Sequence, residues 1–249
     1  MLRVALVCRL ILSAIKEAKS TEPLEFKTFL ISIDEKTGIQ ALERLEQTAP
    51  LSKGKHTRRE FEYKRHGTTT LIAALNVGTG HLQNYLLSPT RTEVDYHNFI
   101  EQTTQSILAK EPNAHIIFLS DQLNTHLSES LVVWSAQINN IDADLGVKGK
   151  KGILKNLQTR MTFLENDKQR IRFVFTPKHC SWLNPIENWF AKLQRHVITN
   201  GNFTSVENLN LKIDNYIAFF NKCLVKPMNW KFNGFIKVEK LLNFKPSNN

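Results

Sequence analysis

The chain has 249 residues, enough for one sizeable hydrophobic core with a small appendage. Lysine and arginine outnumber the acidic residues by 33 to 23, a formal net charge of +10, which favours a polyanionic partner such as nucleic acid. Three widely spaced cysteines form neither a zinc-site spacing nor a disulfide framework, which indicates a reducing compartment rather than a secreted domain.

The N-terminal segment predicts an amphipathic helix. Its apolar residues recur at helical spacing: Leu2, Leu6, Leu10, Ile11, Ala14 and Ile15. Arg9 interrupts the apolar stretch, which is then too short to cross a bilayer, and no convincing signal-peptide cleavage site follows. We expect residues 1–26 to form a helix that is the remnant of a longer region.

The next part of the chain predicts strands. The apolar run 28–33 predicts a buried strand that ends at Asp34, after which residues 36–38 turn the chain. Residues 68–77 and 81–87 flank a Gly-Thr-Gly segment and predict a hairpin.

The second half predicts helices between two further strands. Thr92 and Asp95 match a capping box that opens a helix running to about Lys110. Further helices are predicted over residues 128–139 and from Thr204 or Ser205 to about 221. Another is predicted to begin at the Asn184 cap, with a buried stripe of Ile186, Trp189, Phe190, Leu193 and Val197. Short apolar runs at 115–119 and 171–176 predict the strands.

These elements predict an α/β protein with a mixed sheet flanked by helices. We expect one main domain over residues 27–223. It would carry a Lys/Gly-rich insertion at about 142–170, part flexible and part helical, and residues 224–249 would form a C-terminal tail.

Three acidic residues stand at element ends: Asp34 in FLISIDEKTG, Asp121 in HIIFLSDQLNTH and Glu187 in SWLNPIENWF. Because strand ends meet at one edge of an α/β sheet, their carboxylates can converge there. With phosphate oxygens and water, such a group suits two Mg²⁺ ions that assist displacement at a nucleic-acid phosphate. The alternative is that each residue is an ordinary turn or cap residue.

The sequence motifs around these three acidic residues favour a metal site over ordinary turn or cap residues. From Ile31 to about Trp230 the chain resembles transposases of bacterial insertion sequences in the mariner superfamily, the insertion-sequence six-thirty branch. The segments that carry the likeness, in consistent order, are SIDEKTGIQALER, RREFEYKRHGTTTLIAALNVGTG, SPTRTEVDYHNFI, FLSDQLNTHLSESLV, LGVKGKKGILKN, FTPKHCSWLNPIENWFAKLQR and GNFTSVENL.

The resemblance implies a ribonuclease-H-like fold in which Asp34, Asp121 and Glu187 are the catalytic residues and the ligands of two Mg²⁺ or Mn²⁺ ions. It also implies DNA cleavage and strand transfer at the ends of an insertion sequence, commonly into a TA step. The implied partners are double-stranded DNA and a second copy of the chain, a homodimer. We expect a cytoplasmic, nucleoid-associated protein with no membrane partner.

Such transposases usually carry a helix-turn-helix region of well over a hundred residues before the first strand, whereas about 26 residues precede it here. Two alternatives follow. One is a catalytically silent or truncated transposase-derived DNA-binding protein. The other is a host nuclease of the same fold that cuts without joining.

Other residues are weaker candidates. Asn124 and His126 are secondary candidates for the site; His126 could orient a phosphate or the metal shell, or be a structural histidine. Glu35 is expected to face solvent or the Arg58/Arg59 pair, because successive strand residues point to opposite faces. Trp182 could stack on DNA, but its position beside Leu183 favours the core.

Two basic clusters are candidate contacts for the DNA backbone, with a solvated surface as the alternative. The first lies within residues 49–67, which predict a loop or exposed edge, and the second lies in the Lys/Gly-rich insertion. Their members are Lys53, Lys55, Arg58, Arg59, Lys64 and Arg65 in the first, and Lys148, Lys150, Lys151 and Lys155 in the second.

Overall fold

The computed structural model describes residues 2–22, 25–45 and 62–234. The helices in these ranges are α1 (Leu2–Glu17), α2 (Glu93–Leu108), α3 (Glu129–Ile138), α4 (Leu157–Leu164), α5 (Ile186–Leu193) and α6 (Val206–Phe219). The strands are β1 (Thr28–Arg44), β2 (Tyr63–Asn76), β3 (Leu82–Ser88), β4 (His115–Ser120) and β5 (Ile171–Phe175). The hairpin, the two later strands and the later helices predicted from sequence are therefore confirmed.

The five strands form one mixed sheet in the order β3-β2-β1-β4-β5. β1, β2 and β3 pair antiparallel, whereas β4 and β5 run parallel to β1. β1 and β4 are neighbours, so their carboxyl ends meet at the same edge, as the strand-end argument requires. The predicted mixed sheet flanked by helices is confirmed.

Helices cover both faces of the sheet because its strands are apolar on both sides. In β2, Ile72 and Ala74 face a core cluster shared with α2, α3 and α4. Leu71, Ala73 and Leu75 face the opposite cluster, shared with α5 and α6. This period of two is the ordinary alternation of a strand, and it produces a three-layer arrangement.

β1 corrects one prediction. The strand does not end at Asp34 but continues to Arg44, and Lys36 and Ile39 bracket a β-bulge in its pairing with β2. Gly38 has φ 64°, a backbone conformation that glycine adopts readily. Residues 36–38, which were predicted to form a turn, lie at this bulge, but β1 continues because β2 pairs with it up to Arg44. Only residues 28–32 pair with β4, so Asp34 lies just where β1 separates from β4.

α1 is the predicted helix, but its buried face differs in part from the expected one. Val7, Cys8 and Ile11 are buried against the sheet, whereas Leu2 and Leu6 are 90% and 39% exposed. The contacting sheet residues are Leu30, Ile117, Leu119 and Val174. Their position selects the face of α1, and the helical period alone did not specify it. Within the described residues, no helix is long and apolar enough to cross a membrane.

Candidate active site

Asp34 lies at the point where β1 leaves β4, and both of its carboxylate oxygens accept hydrogen bonds. The backbone N–H of Glu35 donates to Oδ1 at 2.8 Å, and the side-chain amide of Asn184 donates to Oδ2 at 3.2 Å. One of these donors is local and the other comes from the segment before α5. The carboxylate is therefore oriented from two sides.

Asn184 links the start of α5 to β1 instead of capping the helix as predicted. The side-chain Nδ2 of Asn184 also donates to the backbone carbonyl of Ile33 at 2.9 Å. The side-chain Oδ1 of Asn184 accepts a hydrogen bond from the hydroxyl of Ser32. The Ser32 hydroxyl in turn accepts the backbone N–H of Ile186 at 2.9 Å. A serine from β1 thus provides the cap-type acceptor at the start of α5, and sequence analysis missed both roles because the partners are about 150 residues apart.

Glu187 is in the first turn of α5 and is partly exposed. Its backbone N–H donates to the carbonyl of Asn184 at 3.1 Å. The apolar side of the same helix is buried as predicted: Ile186, Trp189, Phe190 and Leu193. Because α5 is held on β1 through Ser32 and Asn184, its first turn is fixed beside Asp34.

Asp121 follows β4 and is held by His126. The ring nitrogen Nδ1 of His126 lies 2.7 Å from Asp121 Oδ1, and Nε2 lies 3.0 Å from Glu35 Oε1. The histidine side chain is fully buried and that of Glu35 is only 3% exposed. Tyr96 stacks on the imidazole at 4.0 Å between ring centroids and donates its hydroxyl hydrogen to Ser120.

Glu35 is therefore not a solvent-facing residue, and that part of the prediction is wrong. The alternative partners, Arg58 and Arg59, lie outside the described residues. Strand alternation does turn it away from Asp34, as expected. However, the 3₁₀ turn Asn124–Leu127 covers that face of β1 and brings His126 onto the carboxylate. In the sequence, only the position of Glu35 directly after Asp34 pointed to a role for this carboxylate near the site.

The carboxylates influence one another electrostatically. Burial raises the pKa of Asp34 to about 7, although the hydrogen bond from the Glu35 backbone opposes it. The negative charges of Asp121, Glu187 and the Glu35 side chain also raise it. Acidic groups from β1, from the end of β4 and from α5 therefore lie within electrostatic reach of each other.

His126 compensates part of this negative charge. Burial opposes charge on both partners, but the hydrogen bond from His126 lowers the pKa of Asp121 below its usual range. For His126, burial lowers the pKa, and the hydrogen bonds to Asp121 and Glu35 outweigh that effect and raise it to about 9. At neutral pH, the ring is therefore protonated and bridges two carboxylates.

The donor chemistry fits a hard divalent cation. Carboxylate oxygens are the ligands that Mg²⁺ prefers, and a cation would relieve the repulsion that raises the pKa of Asp34. Within the described residues, no three His, Cys, Asp or Glu side chains are arranged to hold one ion by themselves. In proteins, Mg²⁺ is usually bound through one or two carboxylates, and water and substrate phosphate oxygens complete its shell.

The comparisons with known proteins decide the family. Residues 30–210, more than half of the chain, match the family described as DDE superfamily endonuclease. The chain belongs to this family. The comparison with curated proteins gives no match.

The fold of this DDE endonuclease family member is similar to that of solved mariner transposases. A Mos1 transposase paired-end complex with the left transposon end has a TM-score of 0.52 at 17% identity, over 87% of this chain and 54% of that one. The Mos1 mariner paired-end complex with Mn has a TM-score of 0.53 at 16% identity, with the same coverage. The predicted ribonuclease-H-like fold is confirmed, and the chain spans about half the length of these transposases.

The remaining site candidates of this DDE family member, Asn124 and Trp182, form no hydrogen bond with the three carboxylates within the described residues. Asn124 is exposed, and its side chain makes no hydrogen bond to another described residue. Trp182 is 52% exposed, so the prediction that it belongs to the core is wrong. Leu183 takes the buried position, and Trp182 makes an edge contact with Phe232 at 5.3 Å between ring centroids.

The basic clusters are exposed where the structure describes them. Lys64 and Arg65 lie at the start of β2, in the part of the β1–β2 ribbon that extends beyond the other strands. The insertion lysines 148, 150, 151 and 155 are also exposed. Lys53, Lys55, Arg58 and Arg59 lie outside the described residues. Exposure permits DNA contact by the described members, whose role stays a prediction.

Proposed function

We propose that this chain is the catalytic domain of a transposase from the bacterial insertion-sequence branch of the mariner superfamily. It would cut DNA at the element's ends and transfer the freed 3′-hydroxyl to target DNA. One observation supports the proposal: Ser32 and Asn184 hold the first turn of α5, which carries Glu187, against β1 beside Asp34, and Asp121 directly follows the neighbouring strand β4.

In this proposal Asp34, Asp121 and Glu187 hold two Mg²⁺ or Mn²⁺ ions together with phosphate oxygens. Bound ions of this kind supply activation of the attacking hydroxyl and charge stabilisation of the departing oxygen. Asn184 orients the Asp34 carboxylate, and His126 keeps that of Asp121 ionised and fixed. These supporting contacts restrict where the charged oxygens can lie.

The proposed partner is double-stranded DNA. One of the Mos1 structures is a paired-end complex with the left transposon end, and the net charge of +10 favours a polyanion. A homodimer that pairs two element ends, and a cytoplasmic, nucleoid-associated location, belong to the same proposal. The insertion-sequence six-thirty branch rests on the motif segments, including HCSWLNPIENWF.

Nicking of supercoiled plasmid in Mg²⁺ or Mn²⁺ tests the proposal. Asp34→Asn, Asp121→Asn and Glu187→Gln should each lower the rate by more than about 100-fold, the upper range for residues that only support a metal site. Glu207→Gln, an exposed carboxylate in the first turn of α6, is the matched control and should nick normally. A triple Asp34/Asp121/Glu187 variant that nicks at the wild-type rate would refute the assignment.

A second assay separates the rival functions. A duplex with a pre-nicked 3′-end should become joined to a plasmid that contains TA steps. Cleavage without joined products would identify a nuclease, and salt-sensitive DNA retention without cleavage would identify a silent DNA-binding protein.

A further inference from the structure

A cavity of about 490 Å³ lies between α5 and the chain segment that follows α6. Its lining includes Asn188, Trp189 and Lys192 from α5, and Lys226 and Trp230 from the later segment. The cavity is on the α5–α6 side of the sheet, and no member of the two basic clusters lines it.

Two positively charged side chains, Lys192 and Lys226, line this cavity. Within the described residues, neither Lys192 nor Lys226 forms an ion pair. Burial lowers the pKa of Lys192, and the charge of Lys226 lowers it further. The Lys192 ammonium lies 5.6 Å from the centroid of the Phe220 ring, a weaker partner than a carboxylate. An anion in the cavity would remove the repulsion between the two lysines.

The cavity wall also includes the ring of Trp189, a residue that is 2% exposed. The two ammonium groups give the cavity an excess of positive charge, which is the chemistry that binds a phosphate.

The backbone around the cavity is tightly held. Gly80 has φ 81°, and a Cβ at this position would lie 2.2 Å from the carbonyl oxygen of Lys226, so the hairpin turn packs directly on that residue. The side chain of Asn221 exchanges two hydrogen bonds with the backbone of Leu82, each 3.0 Å long. Lys226 is thereby presented from a fixed segment.

The cavity adjoins the first turn of α5. Pro185 and Asn188 line it, and Glu187 lies between them in the sequence. Lys192 is five residues after Glu187 (192 − 187), which is roughly 7.5 Å along a helix axis at 1.5 Å per residue.

We propose that this cavity is a phosphate-binding site for the backbone of the DNA strand, next to the phosphate that is cut. The inference rests on the proposed function and adds a contact site to it. Lys192 and Lys226 supply the charge.

DNA affinity measured without metal tests the site independently of cleavage. Fluorescence anisotropy with a labelled duplex at 50 to 200 mM KCl should show that Lys192→Gln and Lys226→Gln each weaken binding and reduce the log–log salt slope by about 1. Lys222→Gln is the matched control, because this exposed lysine follows α6 but does not line the cavity. A double Lys192/Lys226 variant with the slope of Lys222→Gln would overturn the proposal.

A neutral methylphosphonate moved stepwise along the strand locates the contact. At one position it should weaken wild-type binding but add nothing to the loss in the double variant. Equal sensitivity of wild type and double variant at every position would contradict a specific phosphate site.

Inorganic phosphate distinguishes the two sources of this ligand. If it raises the melting temperature of the wild type but not of the double variant while both have the same DNA salt slope, the site binds small anions and the DNA assignment is wrong. Folding of each variant is checked by its melting temperature. Failure of the triad variants to lose cleavage would overturn the proposed function instead.

Discussion

At the scale of single residues, the buried Asp34 carboxylate is proposed to bind metal, but its charge destabilises the metal-free folded protein. Burial and neighbouring acids raise its pKa to about 7 from the usual 3.8. The folded state therefore binds this proton more tightly than the unfolded state does. The contribution of Asp34 to stability falls as pH rises from about 4 to 7 and remains low above that range.

Asp34→Asn should therefore stabilise the metal-free protein at high pH. The change from 3.8 to about 7 is equivalent to roughly 4 kcal/mol at about 1.36 kcal/mol per pKa unit. Solvent screening and the loss of one of two accepted hydrogen bonds reduce this, so we expect a gain of about 1–2 kcal/mol at pH 8 and no gain at pH 4. Urea unfolding at both pH values measures it, and a pH-independent difference would contradict the buried charge as its cause.

Glu35 is predicted to act through His126. Glu35→Gln should lower metal-dependent nicking by about 10–100-fold and weaken Mn²⁺ binding measured by calorimetry, because His126 would hold Asp121 less firmly. Glu43→Gln removes the equivalent carboxylate from a Glu–His pair on the β1–β2 ribbon, with His66 at 2.7 Å, and should change neither. Equal effects of the two substitutions on Mn²⁺ binding would remove the special role of Glu35.

At the scale of elements, the docking of α5 on β1 depends on one hydroxyl. Ser32→Ala removes the acceptor of the Ile186 N–H and the donor to Asn184, which should cost about 1–2 kcal/mol and also slow nicking. Ser205→Ala removes the side-chain cap of α6 and should cost a similar amount without slowing nicking. Urea unfolding and nicking rates compare the two variants. Two variants with the same nicking rate would show that the Ser32 hydroxyl does not position Glu187.

At the scale of the whole molecule, α1 is part of the folded core. Ile11 is fully buried in the cluster with Leu30, Leu119 and Val174, so Ile11→Ala should lower the free energy of unfolding by about 2–4 kcal/mol. Leu6→Ala, on the exposed side of the same helix, should cost less than about 0.5 kcal/mol. Urea unfolding distinguishes them. Similar values would mean that α1 does not pack on the sheet in solution.

Local patterns predicted the elements that depend on neighbouring residues. The capping box of Thr92 and Asp95 was recognisable from the sequence, because a helix start is set by residues three apart. The alternation that separates Asp34 from Glu35 was also readable. The residues that contact Glu35 and Asp34 could not be predicted in this way, because they are His126 and Asn184, which are far away in the sequence.

The sequence by itself determined an α/β protein with a mixed sheet, its main helices, and the three acidic candidates at element ends, since each depends on a short stretch of chain. Only the tertiary structure decided that β1 continues past Asp34, that His126 bridges Asp121 and Glu35, and that Trp182 is exposed. It also brought Lys192 and Lys226 to one cavity. These features arise from contacts between residues far apart in the chain. Such contacts are decided by how the helices pack on the sheet, which short sequence patterns do not specify.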